Sequence, residues 1–284
     1  MNTLKVGMLL TAITALFVVV GRVIGGPSGA LIALSMALVM NAGSYWFSDK
    51  IVLRMYGAQP LTPREAPGLY QMTQRLAERA KIPMPKLYLI ADPQPNAFAT
   101  GRNPANAAVA VNQGLLDLLD TNEVEGVIAH ELAHIKHRDT LTMTVVATIA
   151  GAVMWLAQIG QFAAFFGGGH SDDDEGSNPI VFLFMIIVAP IAATLIQLAV
   201  SRAREFEADA TAARLTGTPH GLMNALAKLE HGARRIPSHA TPGTAHMFIV
   251  NPLQGMGSTL MGLFMTHPPT EKRIENLRRV ALGA

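Results

Sequence analysis

Cysteine is absent from this chain of 284 residues. That excludes disulfides and thiolate metal sites, so any metal must be held by histidine and carboxylate. Charge is scarce as well. Only 15% of residues are Asp, Glu, Lys or Arg, half are hydrophobic, and the mean hydropathy is +0.30, too apolar for an ordinary soluble protein. No internal repeat and no Walker-type phosphate loop is present, so neither a solenoid nor a nucleotide partner is expected. The excess of two positive charges and the pI near 9.0 do not call for nucleic acid, because the basic residues collect on one side of a membrane, as follows.

The apolar excess resides in four runs, Leu4 to Ile24, Ser28 to Phe47, Leu141 to Phe166 and Pro179 to Val200. Each approaches or exceeds the roughly 20 residues that cross a bilayer core of about 30 Å. Gly25, Gly26 and Pro27 separate the first two, so a retained hairpin fits better than a cleaved leader, which would not be followed at once by a second apolar run. Ten Lys and Arg residues lie between Lys50 and Arg138 and ten between Arg202 and Arg279, leaving only Lys5 and Arg22 elsewhere. The loop around Asp172 to Glu175 has none. By the positive-inside rule, the N-terminus and both long polar segments face the cytoplasm and the two short loops face outward. Anionic lipid attracts those basic segments. The expected organisation is a membrane hairpin over residues 1–48, a cytoplasmic part over 49–140, a second hairpin over 141–200 and a second cytoplasmic part over 201–284.

Within the polar parts, Thr62, Pro63 and Glu65 read as a capped helix start, with Leu69, Met72 and Leu76 on its apolar face. Lys86 to Ile90 and Ala107 to Val111 read as strands, separated by a turn-rich stretch from Asp92 to Asn106. Asp120 and Glu123 form a capping box ahead of Val124, Val127, Ile128 and Ile135, which recur at helical spacing. Helices are also expected over 201–215, 221–231 and 270–282.

The second of these helices in chain order, the one begun by Asp120, carries His130-Glu131-Leu132-Ala133-His134. Residues four apart share a helical face, so two imidazoles at that spacing can grip one ion. Glu131 is rotated by about 100° and can reach a water at the metal without being a ligand. This layout suits hydrolysis of amide bonds. A catalytic zinc takes three protein ligands and keeps one position open. His137 shares the azimuth but lies about 10 Å along the axis from His130, too far for one ion to bind all three. A carboxylate from another helix is better placed. Glu205 and Asp209 are four apart, so Glu205 can ligate while Asp209 accepts a hydrogen bond from a ligand histidine. Glu207 points about 200° away and could serve only on a rolled helix.

Four separated motifs then carry a family resemblance: HELAHxxxxD from His130 to Asp139, SRxREFEAD from Ser201 to Asp209, PNAFATG from Pro95 to Gly101, and THPPTEKRI from Thr266 to Ile274. With two apolar pairs flanking the HExxH helix, the chain resembles the HtpX family of bacterial membrane-bound zinc metalloproteases, related to the CaaX prenyl endopeptidases. The resemblance covers nearly the whole chain. It implies a mostly α fold with a small β-sheet, four transmembrane helices and a cytoplasmic gluzincin-type metalloprotease domain. One zinc per chain is implied on His130, His134 and Glu205, with Glu131 as catalytic base. Asp209 matches the carboxylate behind a ligand histidine, His267 a residue that stabilises the oxyanion, and Asn96 a position near the substrate cleft.

Implied too are a stress-linked role in membrane protein quality control, polypeptide substrates drawn from misfolded membrane proteins, and residence in the bacterial inner membrane with the site facing the cytoplasm. Position agrees, since His134 precedes the third apolar run by seven residues and Glu205 follows the fourth by five, about 10 Å and 7.5 Å at helical rise. An exposed sheet edge is expected to pair with extended substrate, with Ala107 to Val111 as the first candidate.

Overall fold

The computed structural model describes residues 2–145, 202–233, 247–250 and 268–281. The third and fourth apolar runs, apart from the helical start at 141–145, and His267 lie outside the described residues.

The first two apolar runs form α1 (Asn2–Met55), broken at Gly25 and Gly26. Gly26 has φ 58°, a conformation that glycine adopts without a Cβ penalty, and the chain folds back on itself there. The two arms pack antiparallel. Asn41 Nδ2 donates to Thr14 Oγ1 at 2.8 Å and to the Leu10 carbonyl at 3.3 Å across the hairpin. Gly25–Phe47, 23 residues long with a mean hydropathy of 1.5, is the one helix among the described residues long and apolar enough to cross a membrane. In the other arm the apolar helical stretch among the described residues is the shorter Val6–Val19. Leu31, Ile32, Met36, Leu38 and Val39 are exposed on the longer arm.

Beyond α1 the chain builds a mixed four-stranded sheet in the order β1-β2-β4-β3, comprising β1 (Gln59–Pro60), β2 (Lys86–Ile90), β3 (Ala97–Gly101) and β4 (Ala107–Asn112). β2 and β4 run parallel, with Leu87 opposite Val109, and β3 pairs antiparallel to β4, with Ala99 opposite Val109. Alternation sends Val109 and Val111 of β4 into the main core. Ala108 and Ala110 pack instead with Val52, Leu53 and Phe98 beneath the end of α1. Both faces are covered, so β4 is buried along its whole length.

Two expectations need correction. β4 is not a free edge, since it is hydrogen-bonded on both sides; among the described residues the edges are β1 and β3, and β3 is the one beside β4. β3 falls within the stretch read as turns, because Pro93, Pro95 and Gly101 punctuate it and its residues AFATG have no strong strand propensity. Pairing with β4 supplies what local preference does not. Second, Thr62 and Glu65 form only one half of the box, with Thr62 N and Oγ1 donating to Glu65 Oε2 at 2.8 and 2.6 Å while Glu65 N donates to the Thr62 carbonyl, and they do so in an isolated turn. α2 is Pro67–Ala80, with Ala66 at φ −137° as its N-cap. Pro67 lacks an N–H and disfavours helical backbone in the residue before it, so the helix restarts there.

After the short α3 (Gln113–Leu118), α4 (Thr121–His137) runs through the centre of the molecule. Its Asp120–Glu123 capping box is complete. Val127, Ile128, Leu132 and Ile135 are fully buried on it. It packs against α2, β3, α5 (Arg202–Thr216) and α6 (His220–Ala233), while α7 (Thr270–Ala281) closes over α5 and α6. The α4–α6 crossing depends on small residues. A Cβ on Gly126 would lie 2.5 Å from the Leu222 nitrogen, and one on Gly221 would lie 2.3 Å from the Asn122 carbonyl oxygen.

Candidate active site

Helical periodicity puts His130 and His134 on one face of α4, and α5 brings Glu205 and Asp209 against it. All four side chains are buried. His130 Nδ1 lies 3.0 Å from Asp209 Oδ1, and His134 Nδ1 lies 3.3 Å from Asp139 Oδ2. Each Nδ1–H therefore has a carboxylate acceptor, a pairing that fixes the tautomer with the Nε2 lone pair directed the other way. The two Nε2 atoms converge to 3.1 Å. Glu205 closes the triangle, with Oε2 3.7 Å from His130 Nε2 and Oε1 3.4 Å from His134 Nε2.

The donor set fits a metal ion. One ligand atom from each of His130, His134 and Glu205 lies within 4.8 Å of the others, and all three residues are buried. Two neutral imidazoles and a carboxylate match the chemistry of a catalytic zinc site. Electrostatics points the same way. Burial opposes charge on His134, but its hydrogen bond to Asp139 and the Glu205 and Glu131 carboxylates outweigh burial and push it up to about 9. The cluster thus attracts positive charge.

Glu131 lies beside the ligand face, buried. Burial raises its carboxyl above the ordinary carboxylate value, against the pull of the two histidines. Phe98, Ala99, His130, Glu131, His134 and Met143 line a pocket with Met247, Phe248 and Ile249.

The turn after α4 places Asp139. Arg138 adopts left-handed backbone at φ 59° and its N–H caps the His134 and Ile135 carbonyls, so the helix ends and Asp139 returns toward His134. Arg204 Nε approaches the other oxygen of Asp139 at 3.6 Å. His137 stands apart from the cluster, 3.9 Å from the exposed Glu207, as its axial offset requires. Asn96 is buried, and its amide is committed to backbone: Nδ2 donates to the Met247 carbonyl at 3.4 Å, and Oδ1 accepts from Ile249 N at 3.1 Å. It reaches the pocket only through those residues.

Sequence reasoning passed over Arg273, one of the most deeply buried side chains. Its Nε and Nη2 donate to the two oxygens of Asp209 at 2.9 and 2.6 Å. Burial works against ionised Asp209, but Arg273 overrides it and holds the carboxyl below its usual value. A signal was present. Arg273 shares the apolar face of α7 with Leu277, four residues on, and a guanidinium on a buried face requires a buried partner.

An HExxH helix facing a carboxylate-bearing helix across a buried pocket, with a strand edge alongside, is the architecture of a metallopeptidase. The model of peptidase family M48 matches residues 63–281, and the chain belongs to that family; it is a metalloendopeptidase. It is 53% identical over 278 residues to a protein named "Protease HtpX homolog" from Desulforapulum autotrophicum, covering 98% of this chain and 89% of that one. A protein of the same name from Pelotomaculum thermopropionicum is 50% identical over 283 residues, 99% of this chain and all of its own length. Among solved structures, that of S. mikatae Ste24p aligns at a TM-score of 0.52 with 19% identity, covering 94% of this chain. This chain spans 62% of that one, and the likeness is one of fold.

Proposed function

We propose that the chain is a zinc-dependent integral-membrane endopeptidase that cleaves misfolded or damaged membrane proteins at the cytoplasmic face, in membrane quality control under stress. The observation that carries this reading is the convergence of His130, His134 and Glu205 within 4.8 Å, at a pocket that Glu131 and Ala99 of the edge strand also line. These three residues are the ligands of one zinc ion per chain. Zinc, when bound, supplies Lewis acidity that polarises the scissile carbonyl and eases ionisation of a water near neutral pH.

The remaining work falls to the protein. Glu131, raised by burial, takes the proton of the attacking water and returns one to the leaving amine. Asp209 and Asp139 hold the two imidazoles in their tautomers. His267 is assigned to the oxyanion from its motif. Asn96 serves the cleft by fixing residues 247–249. An extended peptide laid along β3 gains backbone hydrogen bonds that are indifferent to side chains, which suits a wide range of unfolded substrates.

Location follows from the hairpin of α1 and the two later apolar runs, giving four spans with residues 49–140 and 201–284 in the cytoplasm. Arg102, at the tip of the β3–β4 hairpin, stacks 4.8 Å over the Trp46 ring at the end of the apolar arm. That contact supports a cleft close to the bilayer surface, because Trp favours the interface. Purified full-length protein in detergent should cleave a denatured membrane protein; a chelator should stop it and added zinc restore it. Cleavage indifferent to the chelator would refute the proposal.

A further inference from the structure

Met247, Phe248 and Ile249 form a wall of the pocket that the HExxH helix also lines, and both backbone polar groups of Ile249 are held by side chains from distant parts of the chain. Its N–H donates to Asn96 Oδ1 at 3.1 Å, and its carbonyl accepts from Arg273 Nη1 at 2.9 Å. The same guanidinium grips Asp209 through Nε and Nη2, and Asp209 lies 3.0 Å from His130 Nδ1. Nη2 also comes within 3.4 Å of that imidazole, and Nη1 within 3.7 Å of Glu205 Oε2. Arg273 is 1% exposed, so water cannot replace these partners.

We propose that Arg273 couples the cleft wall to the metal site, so that the position of residues 247–250 and the affinity for metal are energetically linked. The guanidinium is planar with its donors fixed in a fork. If the Ile249 carbonyl moves, the fork turns with it and carries Asp209 off the geometry that orients His130. The coupling is reciprocal, as any linkage between two binding events must be. Arg273 is therefore a positioning residue, and Asn96 sets its far end. A substrate that seats the wall tightens the metal, and a bound metal presents an ordered wall to substrate. This inference rests on the reading of His130, His134 and Glu205 as metal ligands.

The test uses full-length protein in detergent, with zinc affinity measured by competition against a chromophoric chelator and KM measured on a peptide. Arg273→Lys keeps the charge but loses the fork; zinc affinity should fall by about 10–100-fold and KM should rise. Asn96→Ala, at a residue that touches no ligand, should weaken zinc binding by about fivefold or more. That effect should disappear in the Arg273→Lys background. Hydrogen exchange provides a readout that needs no variant: zinc should slow exchange of the amides of residues 247–250 in the wild-type chain. Unchanged zinc affinity in Asn96→Ala, effects of the two substitutions that simply multiply, or exchange at 247–250 insensitive to zinc would each overturn the coupling. Absence of zinc binding by the wild-type chain would defeat the proposed function and the coupling with it, whereas equal binding by wild type and Arg273→Lys defeats the coupling alone.

Discussion

At the residue scale, the site is a nest of buried charges that are tolerable only together. Glu205→Ala removes one of the three proposed donors and should reduce bound zinc well below one per chain, as metal analysis of the purified protein would read directly; full zinc content would overturn the third-ligand assignment. Asp139→Asn leaves the donors in place but weakens the acceptor behind His134. Zinc affinity should fall by about 10–100-fold, measured by chelator competition, and an unchanged affinity would mean that the capped turn alone orients the ring. Asp209→Ala should act even without metal, because it strands the Arg273 guanidinium among buried groups. Breaking such a pair costs about 3–5 kcal/mol, so thermal unfolding of the metal-free protein should shift down. At this scale the motif histidines, Glu131, Glu205 and Asp209 were legible from spacing of four and from their quoted motifs. Arg273 was not, since its role depends on how α7 docks onto α5, which no local pattern encodes.

At the scale of elements, α4 organises the molecule because each of its faces has a different partner. Its approach to α6 leaves no room for a methyl group at Gly126. Gly126→Ala should therefore destabilise the protein by about 1–3 kcal/mol through overpacking, despite the better helix propensity of alanine, and a raised melting temperature would show that the helices can separate freely. Capping residues and apolar periodicity revealed α4, and the helices over 202–216, 220–233 and 270–281 fell within a few residues of expectation. β3 escaped because its propensity is weak and its partner distant, and the same error assigned the edge to β4. With the edge at β3, Phe98 and Ala99 line the same pocket as Glu131, so substrate paired along β3 would lie beside the proposed base. A peptide N-methylated at the amide that faces β3 should lose one hydrogen bond and bind about three- to tenfold more weakly. Equal loss for methylation at every position would count against strand pairing.

For the whole molecule, the question is how a peptidase is fixed to a membrane. α1 supplies a hairpin with an exposed apolar arm, and its end packs on the sheet face opposite the HExxH helix, so sheet and hairpin meet directly. The proposed four-span arrangement can be mapped cleanly because the chain has no cysteine to remove. Asp173→Cys should react with a membrane-impermeant maleimide in intact cells, while Glu78→Cys should react only after lysis; the reverse pattern would invert the topology. Apolar length and basic-residue asymmetry are what that expected arrangement rests on, whereas the join between hairpin and sheet required the packed structure. The most direct measurement pairs zinc content with cleavage in Glu131→Gln. Removing the base while sparing the ligands should leave one zinc per chain and reduce peptide cleavage by about 10²–10⁴-fold. Cleavage at the wild-type rate by that variant, in preparations free of other proteases, would contradict the assignment of Glu131 and the peptidase mechanism built on it.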